Sequence, residues 1–371
     1  MQCINKRKII KVKKERILIV HNYYQIPGGE DTVVINEKKM LEDYGHTVLL
    51  YTRQNSELNQ LNIFTKLLLP FTTIFNFRTY SEIRKLISIY NIDIVHVHNT
   101  LNLISPSVYY AALSKKIPVI QTIHNFRLIC PGATFYRNNR ICEDCVKYGM
   151  LCAILHNCYR NSRIQTVACV LVTKIHRILG IYSKINFICL TEFNKNKLLT
   201  LKQIKPNQIF IKPNFVDGSV ENCLKTTDFV FVGRLEKIKG IEDLLRAWRQ
   251  LGESAPSLKI CGTGPLMNSC KEYVQKNDIR NVYFLGYVEH NLVKKIISES
   301  KYLILPTRVY EGFPMSIIEA FSVGTPVIVP DFGNAGNLVQ DGITGYKYIP
   351  GSIQSLGECI HRAMVNNDLK E

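Results

Sequence analysis

Residues 302–330 read YLILPTRVYEGFPMSIIEAFSVGTPVIVP, two short apolar runs with a helical stretch between them. The runs at 302–306 and 326–330 are long enough for strands and too short for most helices. Pro314 suits the first turn of the intervening helix, where a missing N–H costs nothing, and Gly324 suits the C′ position that ends it. A strand, a helix and a second strand in this order predict one unit of a parallel α/β sheet.

The loop and helix inside this unit carry two carboxylates, Glu311 and Glu319. The amides at the start of the helix would form an anion site, because no earlier turn accepts their hydrogens. Two carboxylates beside such a site can hold the hydroxyls of a phosphorylated sugar while the amides hold its phosphates. For either glutamate alone a solvated surface residue would be the favoured interpretation, so the flanking residues carry this prediction. The predicted donor contacts here are Gly312, Phe313, Pro314, Met315, Ser316 and Glu319.

The same alternation of apolar runs and helical stretches extends along the whole chain. It predicts an α/β fold with two Rossmann-like, doubly wound domains. We place the N-terminal domain at 1–217, with a cysteine-rich insertion at 130–158, and the C-terminal domain at 218–371. Predicted strands are 16–21, 93–98, 117–124, 185–190, 228–233, 258–262 and 282–286, and predicted helices include about 30–43 and 241–251.

Composition narrows the class of protein. The chain has 371 residues and 46% apolar residues, enough for two cores. No apolar run reaches membrane-spanning length, and the basic N-terminus lacks the apolar stretch of a signal peptide, so we expect a cytoplasmic protein. The net charge of +17 would suit nucleic acid, but no nucleic-acid-binding signature accompanies it, so we expect no such partner.

Basic residues are interleaved with apolar ones in two stretches, 71–89 and 160–184, and a basic lead-in occupies 6–16. This mixture suits an anionic membrane surface, at roughly 1 kcal/mol for each well-placed Lys or Arg. A merely cationic surface is the alternative interpretation. The sequence therefore predicts a peripheral protein at the inner face of the membrane.

Basic residues and glycines follow two predicted strands of the second half. Arg234 and Lys239 can bracket a diphosphate and neutralise a departing nucleotide, although two solvated surface bases would look the same. Glycine turns at the ends of these strands allow close backbone approach, but they lack the third glycine of a dinucleotide fingerprint. The glycines concerned are Gly233, Gly262 and Gly264.

Two features of the first half also lie at predicted strand ends. Gly28 and Gly29 would let the backbone come close to a phosphate or sugar, or form an ordinary turn. His124 can face a ligand site or serve as a structural hydrogen bonder. His96 and His98 share one strand face, and we interpret both as structural.

Four cysteines, Cys130, Cys142, Cys145 and Cys158, lie within one predicted insertion, and Cys152 falls among them. The C-x2-C spacing with outer cysteines on both sides favours a structural zinc site, which would fasten a long loop. An iron–sulfur cluster and a set of free thiols are the alternatives. Twelve cysteines without an export signal argue against a disulfide framework.

Taken together, these pieces resemble a retaining glycosyltransferase of family four, with the GT-B fold in which two such domains face a cleft. The likeness covers about 16–348, and it extends to a subset of the family with a cysteine-rich insertion. The motifs of the first half are GGED at 28–31, GHTV at 45–48, HVHN at 96–99, TIHNFRL at 122–128 and KPNFVD at 212–217. Those of the second half are GRL at 233–235, KG at 239–240, GTGP at 262–265, EGFP at 311–314, EA at 319–320 and GTPV at 324–327.

The resemblance implies transfer of a hexosyl group from a UDP- or GDP-sugar, with retention at the anomeric carbon and without a metal cofactor. The absence of an Asp-x-Asp motif is consistent with this. The implied catalytic set is Glu311 at the donor sugar, His124 near the anomeric centre, and Arg234 with Lys239 at the diphosphate. Glu319 would contact the ribose, and Gly28 or Gly29 would meet the donor from the other domain.

The chain departs from the family in two places. Asn337 occupies the approximate place of a usual glutamate, and the chain stops at Glu371, before the helix that usually crosses back to the first domain. A non-catalytic nucleotide-sugar-binding or scaffold protein is therefore an alternative, and an epimerase is a third. For the enzyme, we expect the acceptor to be a lipid-linked saccharide in cell-surface polysaccharide synthesis.

Overall fold

The computed structural model describes residues 13–25, 28–60, 62–216 and 223–365. These fall into two compact units, one within residues 1–122 and 175–187 and the other within 123–174 and 188–371. The domain boundary that the sequence predicts at 217 and 218 lies outside the described residues. It stays a prediction.

The first sheet has six strands in the order β2-β1-β3-β4-β7-β8, and a two-stranded hairpin, β5-β6, stands apart from it. Its strands are β1 (Arg16–Tyr23), β2 (Thr47–Gln54), β3 (Ile94–Asn99), β4 (Val119–Ile123), β7 (Asn186–Cys189) and β8 (Ile209–Ile211), and the hairpin is β5 (Tyr136–Arg137) with β6 (Arg140–Ile141). The helices are α1 (Gly29–Asp43), α2 (Ile63–Ile74), α3 (Phe77–Tyr90), α4 (Ser107–Ser114), α5 (Asp144–Lys147), α6 (Leu151–Leu155), α7 (Arg163–Ile178) and α8 (Glu192–Leu198).

The second sheet also has six strands, in the order β11-β10-β9-β12-β13-β14. They are β9 (Thr227–Val232), β10 (Leu258–Cys261), β11 (Val282–Gly286), β12 (Ser300–Ile304), β13 (Val327–Pro330) and β14 (Gly345–Tyr348). Its helices are α9 (Ile241–Leu251), α10 (Met267–Lys276), α11 (His290–Ser298), α12 (Met315–Ser322), α13 (Gly333–Leu338) and α14 (Ile353–Val365).

Each face of the second sheet is covered by its own apolar layer, because side chains alternate along a strand. Phe229 and Phe231 of β9 pack with Trp248 of α9 in one buried cluster, whereas Val230 belongs to another with Ile317 of α12. The Trp248 indole N–H donates to the Pro256 carbonyl at 2.9 Å, which satisfies its one polar group. Two covered faces explain the near-continuous apolar runs of this half.

The predicted strands and helices are confirmed, with ends shifted by one or two residues. Pro314 is the N-cap of α12 rather than part of its first turn, and Gly324 follows the C-cap with φ +67°, as a C′ glycine does. Five strands were not predicted: β2, β8, β14 and the two-residue hairpin strands β5 and β6. The first three each lie at a sheet edge, where one side of the strand has no neighbour and the apolar pattern weakens.

Candidate functional site

The second sheet reverses its strand order between β9 and β12, which pair in parallel with Tyr302 opposite Phe229. In such sheets ligands bind beyond the carboxyl ends of the strands at this switch point. The loops that leave β9 and β12 carry Arg234, Lys239 and Glu311. The fold therefore brings to one place the residues that the sequence predicts as the diphosphate and sugar contacts.

The loop after β12 is fastened to the loop after β9. Arg308 donates two hydrogen bonds to Asp243 of α9, one of them at 2.6 Å, and its backbone N–H donates to the Ile238 carbonyl at 2.9 Å. These bonds raise the pKa of the Arg308 guanidinium. Gly240 has φ +72°, and a Cβ there would lie 1.7 Å from the Pro306 oxygen. Only glycine allows this contact between the two loops.

Lys239 and Glu311 form an ion pair in the loops at the switch point. The Lys239 Nζ lies 2.8 Å from Glu311 Oε1 and 3.0 Å from Oε2. The side chain of Lys239 is 25% exposed and that of Glu311 is 12% exposed. A solvent-accessible ammonium held by a carboxylate can still receive an anionic ligand, and the carboxylate would then be released towards hydroxyl groups.

A buried amide network fixes the backbone of Glu311 and Gly312. The Asn334 amide nitrogen lies 2.6 Å from the Glu311 carbonyl and 2.7 Å from that of Gly312. Asn194 donates to the same Gly312 carbonyl at 2.7 Å, and Thr191 donates to the Asn334 side-chain oxygen at 2.6 Å. Asn334 is fully buried and Asn194 is 1% exposed, so these bonds are shielded from water. The sequence reasoning missed this network because it considered only Asn337, which is exposed.

Position 312 also has to be glycine because the backbone of His124 lies against it. A Cβ at this position would lie 1.9 Å from the carbonyl oxygen of His124. The half-buried His124 follows β4 directly, and its backbone thus packs against the loop that carries Glu311. The structure thus brings the backbone of His124 next to the residue that follows Glu311, so two of the four predicted catalytic residues lie in adjoining segments.

Glu319 lies on α12, one turn beyond the helix start, with 12% of its side chain exposed. Burial raises the pKa of its carboxyl, while the nearby charges of His290 and Lys294 act in the opposite direction. The His290 Nδ1 lies 3.8 Å from Glu319 Oε1, too far for a hydrogen bond. A mostly buried carboxylate of this kind is well suited to accept hydrogen bonds from ligand hydroxyls.

The glycines after β9 and β10 pack the two loops against each other. A Cβ at Gly262, where φ is +138°, would lie 1.9 Å from the Gly233 oxygen, and one at Gly264 would lie 2.5 Å from the Leu235 oxygen. This packing by itself accounts for both glycines. Arg234 between them is half exposed and pairs with Glu236, so its guanidinium remains accessible.

Gly28 and Gly29 belong to the other unit. Gly28 is the N-cap of α1, and its N–H donates to Asp31 Oδ2 at 3.0 Å. A Cβ at Gly28 would meet nothing within 4 Å, so open space surrounds this turn. Their predicted contact with a donor stays a prediction.

Five cysteines line one cavity in the insertion: Cys130, Cys142, Cys145, Cys152 and Cys158. Burial and the neighbouring thiols raise the pKa of Cys145 to about 12. Tetrahedral zinc would hold sulfurs about 3.8 Å apart. Across the described ranges, no three of these sulfurs lie within 4.8 Å of one another. The four predicted ligands and Cys152 lie around the same cavity. Their side chains would have to adopt other rotamers to bring the sulfurs close enough to bind one metal ion.

The insertion also contacts the loop after β12. Glu143, between two of the cysteines, accepts hydrogen bonds from Lys197 at 2.7 Å and from the Tyr310 hydroxyl at 3.1 Å. Burial and Glu143 raise the pKa of Tyr310 to about 12. The Lys197 Nζ lies 5.2–5.7 Å from the ring centres of Phe135, Phe193 and Tyr310. The insertion thus supports the residue that precedes Glu311.

Comparison with known proteins finds a matching protein family for each half of the chain. Residues 219–371 match the family described as "Glycosyl transferases group 1", and residues 27–148 match "Glycosyltransferase Family 4". An uncharacterized glycosyltransferase of Methanocaldococcus jannaschii, MJ1607, is 30% identical over 144 residues, 38% of this chain. The matched part spans only 37% of that relative's length.

Two further matches cover nearly the whole chain. Alpha-monoglucosyldiacylglycerol synthase of Streptococcus pneumoniae is 22% identical over 95% of this chain and 79% of its own. The crystal structure of Anabaena HepE (Alr3699) with UDP and glucose has a TM-score of 0.65 at 14% identity, and covers 96% of this chain and 91% of its own. The latter match shows a shared fold.

Two six-stranded parallel α/β sheets of this topology define a protein of the GT-B fold. The two family matches, one in each half of the chain, are both to glycosyltransferase families. The family models do not confirm the cysteine-rich insertion as a family feature, and its membership of a family subset stays a prediction.

Proposed function

We propose that the protein transfers a hexosyl group from a nucleotide-diphosphate sugar to an acceptor, with retention at the anomeric carbon. The observation that carries the proposal is the Lys239–Glu311 pair at the switch point, with bonds of 2.8 and 3.0 Å. An ammonium beside a carboxylate provides complementary partners for a diphosphate and for sugar hydroxyls.

Each site residue has a role in this proposal. Arg234 and Lys239 bind the diphosphate and stabilise it as a leaving group, so that transfer needs no metal cofactor. Glu311 accepts hydrogen bonds from the donor sugar and Glu319 from the ribose. His124 acts near the anomeric carbon.

Backbone groups complete the donor site in this proposal. The amides of residues 312–316, apart from Pro314, contact the donor, and Gly28 or Gly29 of the first unit meets it from the acceptor side. A UDP-sugar is our first candidate, because the Anabaena protein was solved with UDP and glucose.

The acceptor that we propose is a lipid-linked saccharide at the cytoplasmic face of a membrane. The name of the Streptococcus relative supports a lipid acceptor. In the first unit, Leu68, Phe71 and Phe77 are 56%, 70% and 79% exposed, which suits insertion among lipid headgroups. In the part of the chain that the structure describes, no helix is long and apolar enough to cross a membrane.

We also propose that the cysteine insertion holds a structural zinc ion. The cavity brings five thiols together, and Glu143 connects this segment to Tyr310. A metal there would stabilise the support of the Glu311 loop. Because the raised pKa of Cys145 keeps its thiol protonated, zinc binding would release protons.

The experiment that tests the proposed reaction incubates the purified protein with a panel of nucleotide sugars and membrane lipid extract. We expect release of nucleotide diphosphate from one donor, together with labelled lipid. Release without labelled lipid would contradict the lipid acceptor but keep the transferase. No release from any donor, despite measurable nucleotide binding, would favour the non-catalytic binding protein.

A further inference from the structure

Three ionisable side chains meet in the interior of the first unit. Glu37 lies on α1, and His96 and His98 lie two residues apart on β3. All three are buried, with relative exposures of 3%, 5% and 3%. One ligand atom from each residue, a ring nitrogen or a carboxylate oxygen, lies within 4.8 Å of those of the other two.

The N···O separations in this cluster are close to the spacing between two ligands of one metal ion. His98 Nε2 lies 3.5 Å from Glu37 Oε2, and His96 Nδ1 lies 3.9 Å from Glu37 Oε1. Hydrogen bonds of this type are about 2.7–3.2 Å long. Two ligands that each lie about 2.05 Å from a tetrahedral zinc are separated by about 3.4 Å.

One histidine is already oriented by a neighbour. The Nε2 of His96 lies 2.8 Å from the Thr122 hydroxyl, so that its Nδ1 is the ring nitrogen facing Glu37. Histidines that ligate metals usually use their second nitrogen in such a bond, which fixes the ring orientation.

The charge of this region also favours a cation. The buried Asp31 lies 2.7 Å from His21, whose ring centre is 6.2 Å from that of His98. Two buried carboxylates, Asp31 and Glu37, thus lie among three buried histidines. Among the described residues, the buried class contains no Lys or Arg, so a bound cation would add favourable charge to this interior.

We propose that Glu37, His96 and His98 bind one divalent transition-metal ion with a structural role. Zinc is the first candidate, since imidazole nitrogen and carboxylate oxygen are both common zinc ligands, and a water would complete four-coordination. The ion would join α1 to β3 and would be taken up as the chain folds, because the site is enclosed. This interpretation keeps the structural role that the sequence predicts for both histidines and adds a ligand to it.

The first test measures metal in the full chain, produced without a metal-affinity tag in zinc-supplied cells. We expect about one zinc ion per chain at this site, in addition to any zinc at the cysteines. Cobalt substitution separates the two sites, because only thiolate ligands give sulfur-to-cobalt charge-transfer absorption. A wild-type protein that contains no metal would overturn the proposal without any variant.

Variants then assign the ion to these residues. Glu37→Gln and His98→Gln are each expected to lose about one zinc ion per chain, while Cys142→Ser retains it. His176→Gln is the matched control, because His176 is equally buried but is hydrogen-bonded to Tyr110 and to the Ile74 carbonyl at 2.9 Å. Zinc that is lost only from Cys142→Ser would assign all the metal to the cysteines and refute the proposal.

If a variant fails to fold, one further measurement on the wild-type protein still tests the proposal. Zinc X-ray absorption of the whole chain distinguishes nitrogen and oxygen neighbours at about 2.0–2.1 Å from sulfur at about 2.3 Å. We expect both shells, or nitrogen and oxygen alone. A pure sulfur shell would contradict the histidine site.

Discussion

Lys239 and Glu311 neutralise each other, so in the proposed reaction a donor would enter by replacing one of the two partners. A diphosphate would take over the lysine, and the carboxylate would then accept hydrogen bonds from sugar hydroxyls. The charges of the two side chains are therefore matched to opposite ends of one ligand. Both side chains keep some exposure, 25% for Lys239 and 12% for Glu311, which such an exchange would require.

We expect Glu311→Gln to lower the transfer rate by at least about 100-fold. The neutral amide accepts hydrogen bonds less strongly than a carboxylate and no longer forms an ion pair with Lys239. The measurement is kcat with the donor found in the panel. Glu253→Gln, on an exposed residue, is the matched control. A Glu311→Gln enzyme with unchanged fold and near-normal kcat would refute the role of this carboxylate.

Glu319→Gln is expected to weaken donor nucleotide binding about tenfold while stabilising the fold. Burial raises the folded-state pKa of Glu319, so ionisation destabilises the native protein. The gain in unfolding free energy, of order 1 kcal/mol, should be full above the folded-state pKa and vanish below the unfolded value near 4.3. Urea unfolding as a function of pH measures it. An equal gain at every pH would show that burial of the charge is not its cause.

At the scale of elements, close packing between loops determines where the site residues lie. The loops after β9, β10 and β12 approach each other through glycines whose Cβ positions are occupied by carbonyl oxygens. Gly240 and Pro306 form the tightest of these contacts, beside both Lys239 and Arg308.

We expect Gly240→Ala to cost at least about 3 kcal/mol of unfolding free energy, because it adds a steric clash to the strain of φ +72°. Gly351→Ala is the matched control, since Gly351 has φ +77° but nothing within 4 Å of its Cβ position. It should cost only about 1 kcal/mol. Equal costs in urea unfolding would mean that the Pro306 contact contributes nothing.

The helices α8 and α13 hold the Glu311–Gly312 backbone through Asn194 and Asn334. We expect Asn334→Ala to lower stability by about 1–3 kcal/mol, because it leaves buried polar groups without their partner. Donor KM should rise as the loop loses its fixed orientation. The exposed Asn337→Ala on the same helix should change neither quantity, and a donor KM unaltered by Asn334→Ala would contradict the positioning role.

At the scale of the whole molecule, the surface combines a net charge of +17 with exposed apolar side chains. We expect Phe71→Ser with Phe77→Ser to lower the partition of the protein onto anionic lipid vesicles by about tenfold or more, since each phenylalanine contributes roughly 1.5–3 kcal/mol when buried. Co-sedimentation with vesicles measures the effect. Tyr287→Ser, on a tyrosine that is 78% exposed in the second unit, is the control. Equal loss in the control would argue against a specific membrane-facing surface.

The sequence alone determined the central strands, their parallel α/β arrangement and the candidate residues at strand ends. These features depend on local rules: apolar runs form buried strands, Pro and Gly limit helices, and ligand residues follow strands. The run at 302–330 therefore predicted both β12 and β13 with α12 between them. Edge strands such as β2 escaped prediction because half of their surroundings is solvent.

Only the tertiary structure decided which distant residues meet. Lys239 is 72 positions from Glu311 along the chain, and Asn194 is 118 from Gly312, so no local pattern predicts their contact. The same is true of Glu37 with His96 and His98, which the sequence showed only as a helix residue and a pair on a strand. Their meeting depends on how α1 packs on β3. The physical reason is that side-chain contacts between elements follow from the packing of the sheet and its helices, and local sequence does not specify that packing.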